Sequence, residues 1–153
     1  MGKGDLTEKG VQTADKVRCA CFNLRKAARA VTQVFNRSLR PAGLEATQFS
    51  VLSVVQAMET VTVTGLARFM VMDRTTLARS LKPLERERLI SIVRGRDQRR
   101  RMISLTRKGE KLLARADRAW EEVQARLVNG MGRERYDRFL SDLEEVVRVS
   151  RAG

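Results

Sequence analysis

Apolar residues in this chain recur every three or four positions along most of its length, with one interruption near the middle. Val17, Cys21, Leu24, Ala28, Val31, Phe35 and Leu39 make one stripe, which predicts a long helix from about Ala14 to Arg40, ended by Pro41 and Gly43. Phe49, Leu52, Val55 and Met58 predict a second helix that reaches about Met58, with Thr47 as its N-cap. Both stripes read as core. Thr64 is expected to cap a short helix that turns Leu66, Ala67 and Met70 inward. A turn follows at Val71-Met72-Asp73. Asp73 is expected to cap the next helix, where its charge suits the positive end of the dipole and Leu77, Leu81 and Leu84 form the buried stripe. Pro83 lies within that helix; it removes one backbone hydrogen bond and crowds the Arg79 carbonyl, so a bend is expected there.

The period then drops to two. Ile90 and Ile92 flank Ser91, and Ile103 and Leu105 flank Ser104, which is the signal of paired strands. Between Val93 and Met102 stand the eight residues RGRDQRRR, five of them arginine and one aspartate. A loop so charged projects into water or onto phosphate. The helical period resumes after Thr106, a predicted N-cap, with Leu112, Leu113, Ala116, Trp120, Val123 and Leu127 on one side to about Val128, and Asn129-Gly130 as the stop. A last helix from about Arg133 to Ser150 carries Tyr136, Phe139, Leu140, Leu143, Val146 and Val147. The predicted fold is mostly α with a small β-wing. A winged helix-turn-helix core at 47–109 is flanked by long helices at 14–40 and 110–150, all one domain over 14–153. Residues 1–13 read as a flexible arm.

Charge narrows the class of partner. The chain has 31 Lys and Arg against 18 Asp and Glu, a net charge of +13. Thirteen of those cations, against four acids, fall between Arg68 and Lys108. Such clustering implies a polyanion, either nucleic acid or an anionic membrane surface. No apolar run approaches the roughly 20 residues that span a bilayer, and the polar opening MGKGDLTEKGVQT has no signal-peptide core. Cys19 and Cys21, both read as helical, would point about 200° apart, so no mutual disulfide is expected and a reducing cytoplasm is implied. There is no histidine, which removes the commonest general base and metal ligand. No GxGxxG, Walker loop or nucleophile elbow is present, so nothing points to an enzyme, a cofactor or a metal.

The candidate contacts follow from the elements. Arg74, Thr75, Thr76 and Arg79 lie on the first turns of the second helix of the pair, which face base edges in helix-turn-helix proteins, and Lys82 follows them. Arginine grips guanine O6 and N7 with two bonds, and the threonine methyl packs on a thymine methyl. Arg96, Arg99, Arg100 and Arg101 arm the wing, and solubility alone would not favour five arginines and no lysine there. Arg107 and Lys108 sit beside the exposed amides of a helix start, a suitable place for phosphate. The alternative for each is a solvated face.

The run TGLARFMVMDRTTLARSLKPLERERLISIVRGRDQRRRMISLTRKG resembles the MarR family of bacterial transcription regulators. So do CFNLRKAARAV at 21–31 and LRPAGLEATQFSVL at 39–52. The most specific piece is Asp97-x-Arg99, a strand, and then Leu105-Thr106-x-x-Gly109. The resemblance covers about Cys19 to Val147. It implies a bacterial or archaeal cytoplasmic homodimer whose first and last two helices interlock, with the recognition helices about one DNA turn apart on a pseudo-palindromic operator. It also implies that Asp97 orients Arg99 toward the minor groove. A small aromatic or anionic effector would bind between the dimer helices and the winged core, where Arg25 and Arg29 are candidates for an anion. Cys21 resembles in place the reactive cysteine of the peroxide-sensing branch, yet the supporting tyrosines of that branch are replaced here by Arg25 and Phe35. A buried, inert thiol is the alternative. Two further functions stay open, a thiol-based oxidant sensor and an architectural protein that binds DNA without sequence preference. One departure is Arg88, where many members have glycine. If the backbone there is left-handed, arginine costs about 1 kcal/mol relative to glycine.

Overall fold

In the computed structural model, which describes residues 17–95 and 100–152, six helices and a three-stranded sheet follow one another in the predicted order. Helix α1 spans Ala20–Leu39 and ends in a 3-10 turn over Arg40–Ala42, closed by Gly43 at φ 78°. Helix α2 (Ala46–Ala57) is followed by strand β1 (Val61–Thr62), helix α3 (Val63–Phe69) and helix α4 (Arg74–Arg86). Strands β2 (Ile90–Arg94) and β3 (Arg101–Leu105) form the wing. Helix α5 (Arg107–Met131) and helix α6 (Arg133–Arg151) complete the described chain.

The sheet is antiparallel in the order β1-β3-β2. Its register sets Ile90 opposite Leu105 and Ile92 opposite Ile103, the apolar partners that the period-two pattern required. Strand β1 was not foreseen. Its two residues pair Val61 with Ile103 and Thr62 with Met102, and a strand so short carries no alternation to detect.

The core gathers under the winged portion. Leu39, Val51, Leu52, Val55, Leu66, Leu77, Leu84 and Ile103 are fully buried in one cluster. Trp120 of α5 reaches it, stacked on Phe49 with ring centroids 6.2 Å apart.

Several helix ends depart from expectation. Helix α2 is capped by Glu45 rather than Thr47: the Glu45 side chain takes the N3 amide, and Gln48 Oε1 accepts from the Glu45 amide at 2.9 Å. Thr62, not Thr64, caps α3, its Oγ1 accepting from the Gly65 amide at 2.9 Å. Met58 lies past the end of α2 and is exposed. Asn129-Gly130 does not stop α5, which runs to Met131 and ends at Gly132, φ 82°. An interior glycine costs a helix only about 1 kcal/mol, and burial of Val128 holds the turn together. Helix α4 continues through Pro83 to Arg86.

The first helix is the largest correction: Leu39 is its one buried residue, and Val17 and Val31 stand exposed where a core stripe was expected. In α6 Tyr136 alone is buried, and Phe139, Leu140, Val146 and Val147 are exposed. Cys19 is not helical; it occupies the N-cap of α1 with ψ 130°, so helical phase does not set its direction. Both thiols are free and exposed, which overturns a buried Cys21. The expected arm at 1–13 and the start of the first helix at Ala14 lie outside the described residues.

Candidate nucleic-acid interface

Helix α4 presents two unlike faces. Leu77, Leu81 and Leu84 are buried, while Arg74, Thr75, Thr76, Arg79 and Lys82 are all exposed. Spacings of four and three put Thr75, Arg79 and Lys82 on one line along the helix. Arg86, four residues further on and also exposed, extends the same line. Sequence reasoning left Arg86 off the buried stripe but did not assign it to the interface, although its spacing was the available signal.

The N-terminus of α4 is fixed by Asp73. Its Oδ1 accepts from the Thr76 amide at 2.8 Å and its Oδ2 from the Thr76 hydroxyl at 2.5 Å. These bonds, the hydroxyl first and the amide next, hold the Asp73 carboxyl below its ordinary pKa. Thr76 therefore spends its hydroxyl on the cap and keeps its methyl for an apolar contact. Arg74 and Thr75 open the helix beside it. The turn before it is tight: Val71 is left-handed at φ 54°.

The wing rises from the other side. Pairing continues to Arg94 opposite Arg101, and the Gly95 amide donates to the Arg100 carbonyl at 2.8 Å. Arg96, Asp97 and Arg99 lie outside the described residues. Arg100 and Arg101 are exposed at the base of the tip. Arg88, just before β2, is left-handed at φ 58°, the conformation for which glycine would be preferred.

The wing is locked to α5 by Thr106. Its hydroxyl donates to the Arg88 carbonyl at 2.6 Å and accepts from the Gly109 amide at 3.1 Å. Lys108 is committed as well, its Nζ donating to the Glu87 carbonyl at 2.8 Å and tying α5 to the end of α4. Arg107 is exposed beside it.

Arg68, which lay outside the expected set, joins Arg74, Arg100 and Arg101 around one cleft between the helix pair and the wing. A separate cavity of about 250 Å³ lies between α1, α2 and α5, lined by Val31, Phe35, Phe49 and Trp120 with the hydroxyls of Thr32 and Ser50. Arg25 and Arg29 are exposed on α1 and are not among its lining residues. Among the described residues, no group of three or more cysteine, aspartate or glutamate side chains is placed to hold a metal ion. No described helix is long and apolar enough to cross a membrane.

A helix-turn-helix joined to a β-wing, with the exposed face of its second helix and the wing both cationic, defines a winged-helix transcription regulator. The comparisons agree. Residues 42–101 match the model of the MarR family. The M. tuberculosis transcriptional regulator MosR, solved in complex with DNA, is 36% identical, with 88% of this chain and 97% of that one covered at a TM-score of 0.81. The transcriptional repressor CouR, bound to a 23-mer DNA duplex, is 28% identical over 96% of this chain and 98% of that one, at a TM-score of 0.77. The HTH-type transcriptional regulator YwoH of Bacillus subtilis (strain 168) is 25% identical over 105 residues, 69% of this chain and 72% of that protein. The chain belongs to the MarR family of DNA-binding transcription regulators and is not an enzyme.

Proposed function

We propose that this protein is a homodimeric, sequence-specific repressor of the cytoplasm, released from its operator by a small aromatic or anionic effector. The observation that carries the reading is the exposed line Thr75, Arg79, Lys82 on α4, flanked by the arginines of the wing. MosR and CouR were each solved on DNA, and CouR is named a repressor, which supports the same role here.

Dimerisation is supported by energetics. A 19-residue helix that buries a single side chain, Tyr136, gains little from its own chain, and its apolar face needs a partner. A second copy meeting it through a two-fold axis would set two copies of α4 to read a pseudo-palindrome. The effector site that fits best is the cavity between α1, α2 and α5. Its aromatic walls suit a planar apolar molecule, and its position between the outer helices and the winged core would let a ligand change the separation of the recognition helices.

Base and backbone roles separate by mutation. Arg79→Ala is expected to relax base preference, whereas Arg99→Ala should weaken binding to every duplex several-fold with the dimer intact. Equal losses on all sequences from Arg79→Ala would remove direct readout from that residue. Unchanged affinity in a folded Arg99→Ala protein would remove the wing.

The exposure of Cys21 favours a second reading, a repressor released by oxidation of that thiol. Peroxide would then abolish the DNA complex, a thiol reductant would restore it, and Cys21→Ser would be insensitive. Peroxide without effect on the wild type excludes this reading.

A further inference from the structure

The turn between α3 and α4 closes as a glycine turn does, without a glycine. The Val71 amide donates to the Arg68 carbonyl at 3.3 Å and the Met72 amide to the Ala67 carbonyl at 2.9 Å. These are the two crossed bonds that end a helix when the residue after its cap is left-handed. Glycine usually fills that place. Here it is Val71, β-branched and held at φ 54°. A strained residue with no place in the core points to a task outside it. Val71 and Phe69 stay 55% and 60% exposed, and with Leu143 and Val147 of α6 they line a groove of about 670 Å³. The end of α6 is tied to the same turn. Arg133, Arg138 and Arg148 pair with carboxylates of their own helix. Arg151 instead reaches across 83 positions, its Nη1 donating to the Arg68 carbonyl at 3.3 Å. One carbonyl thus takes both the amide that closes the turn and a cation suited to the negative end of α3.

We propose that Arg151 and Val71 are positioning residues that couple α6 to the turn aiming α4, so that the seating of α6 sets the angle at which α4 meets DNA. The inference rests on the DNA-reading dimer proposed above. Neither residue has to touch the duplex. Asp73, the cap of α4, stands two residues after Val71, so little slack separates the Arg68 carbonyl from the first turn of the reading helix. Tyr136 is the one buried residue of α6, which leaves the far end of that helix to take the position a second copy gives it. An operator engages two copies of α4 at one spacing and angle, whereas random duplex is held by charge and does not need them fixed. A loosened turn therefore costs the specific complex and spares the non-specific one.

The test compares wild type with Arg151→Ala, Arg151→Lys and Val71→Gly as full-length proteins. Arg151→Ala is expected to bind a selected operator about fivefold more weakly, with random-duplex affinity and the slope of log affinity against log salt unchanged. Arg151→Lys should recover part of the loss. Val71→Gly is freed of strain and should melt no lower than wild type, yet lose operator affinity about fivefold. Sedimentation should show dimers throughout. Full operator affinity in either Arg151→Ala or Val71→Gly removes that residue from the coupling. An equal loss on both duplexes with a slope shallower by about one would make Arg151 a phosphate ligand and overturn its role. Dissociation to monomers would overturn it too, by making Arg151 an interface residue. Amide exchange without DNA reads the tie directly: residues 66–72 should exchange several-fold faster in Arg151→Ala, with α5 at the wild-type rate. Unchanged exchange at 66–72 overturns the coupling. If wild type shows no operator preference, the repressor reading fails, while faster exchange at 66–72 would still uphold the tie.

Discussion

At Gly109 there is no room for a side chain. An added Cβ would sit 2.1 Å from the carbonyl oxygen of Leu89. Alanine normally stabilises a helix by about 1 kcal/mol relative to glycine, but this contact is with backbone that is itself pinned by the Thr106 amide at 3.0 Å. Overpacking therefore wins, and Gly109→Ala is expected to lower unfolding stability in urea by about 3 kcal/mol and to shift the wing relative to α5. Arg88 has the opposite sign. An L-residue held at φ 58° costs about 1–2 kcal/mol, and glycine gives back part of that gain in the unfolded chain. Arg88→Gly should raise stability by about 1 kcal/mol in the same assay, and a decrease would mean that the Arg88 side chain supports the fold. The motif Leu105-Thr106-x-x-Gly109 was legible in the sequence as a resemblance. Its cause was not, because the Leu89 carbonyl that forbids a side chain lies 20 positions away.

Helix ends show which local signals are readable. Asp73 and Thr106 were identified correctly: each stands immediately before its helix, with its side-chain oxygen on the amide three residues on. Thr47 and Thr64 misled because each lies just inside a helix whose true cap, Glu45 or Thr62, comes two residues earlier. The Glu45–Gln48 box puts a glutamate where serine or threonine is usual, and Thr62 also belongs to a strand too short to recognise. The Asp73 cap gives a pH prediction. Its folded pKa is depressed below 3.8 by Thr76, so its contribution is complete above the ordinary carboxylate range and fades as pH falls through the lower folded value. Asp73→Ala should melt at a lower temperature than wild type at pH 7, and the gap should narrow below about pH 4. Asp73→Asn should retain much of the cap at neutral pH. A gap that persists unchanged into acid would show that the carboxylate is not the capping group.

Over the whole molecule, the winged core was legible because its apolar positions meet partners within the chain. The outer helices were legible as helices, but three-and-four spacing does not tell a face that packs within the chain from one that stays exposed, so Val31 read as core and is exposed. Phe139 and Val146 of α6 remain 38% and 40% exposed, and they lie two turns apart on one side. Phe139→Glu with Val146→Glu is expected to give monomers by sedimentation, with operator affinity lost and helical content largely kept. Dimers that survive both charges would put the interface elsewhere. The sequence marks the wing tip with Asp97 and Arg99, and the Arg99→Ala titration is its test. The line on α4 and the arginines of the wing are proposed to read a particular sequence. A competition titration at about 150 mM salt, with an operator selected from random duplexes against random DNA, tests it most directly. A preference of roughly a thousandfold or more is predicted. Equal affinity for the two, with a steep salt dependence, would contradict it and leave a protein that binds DNA by charge alone.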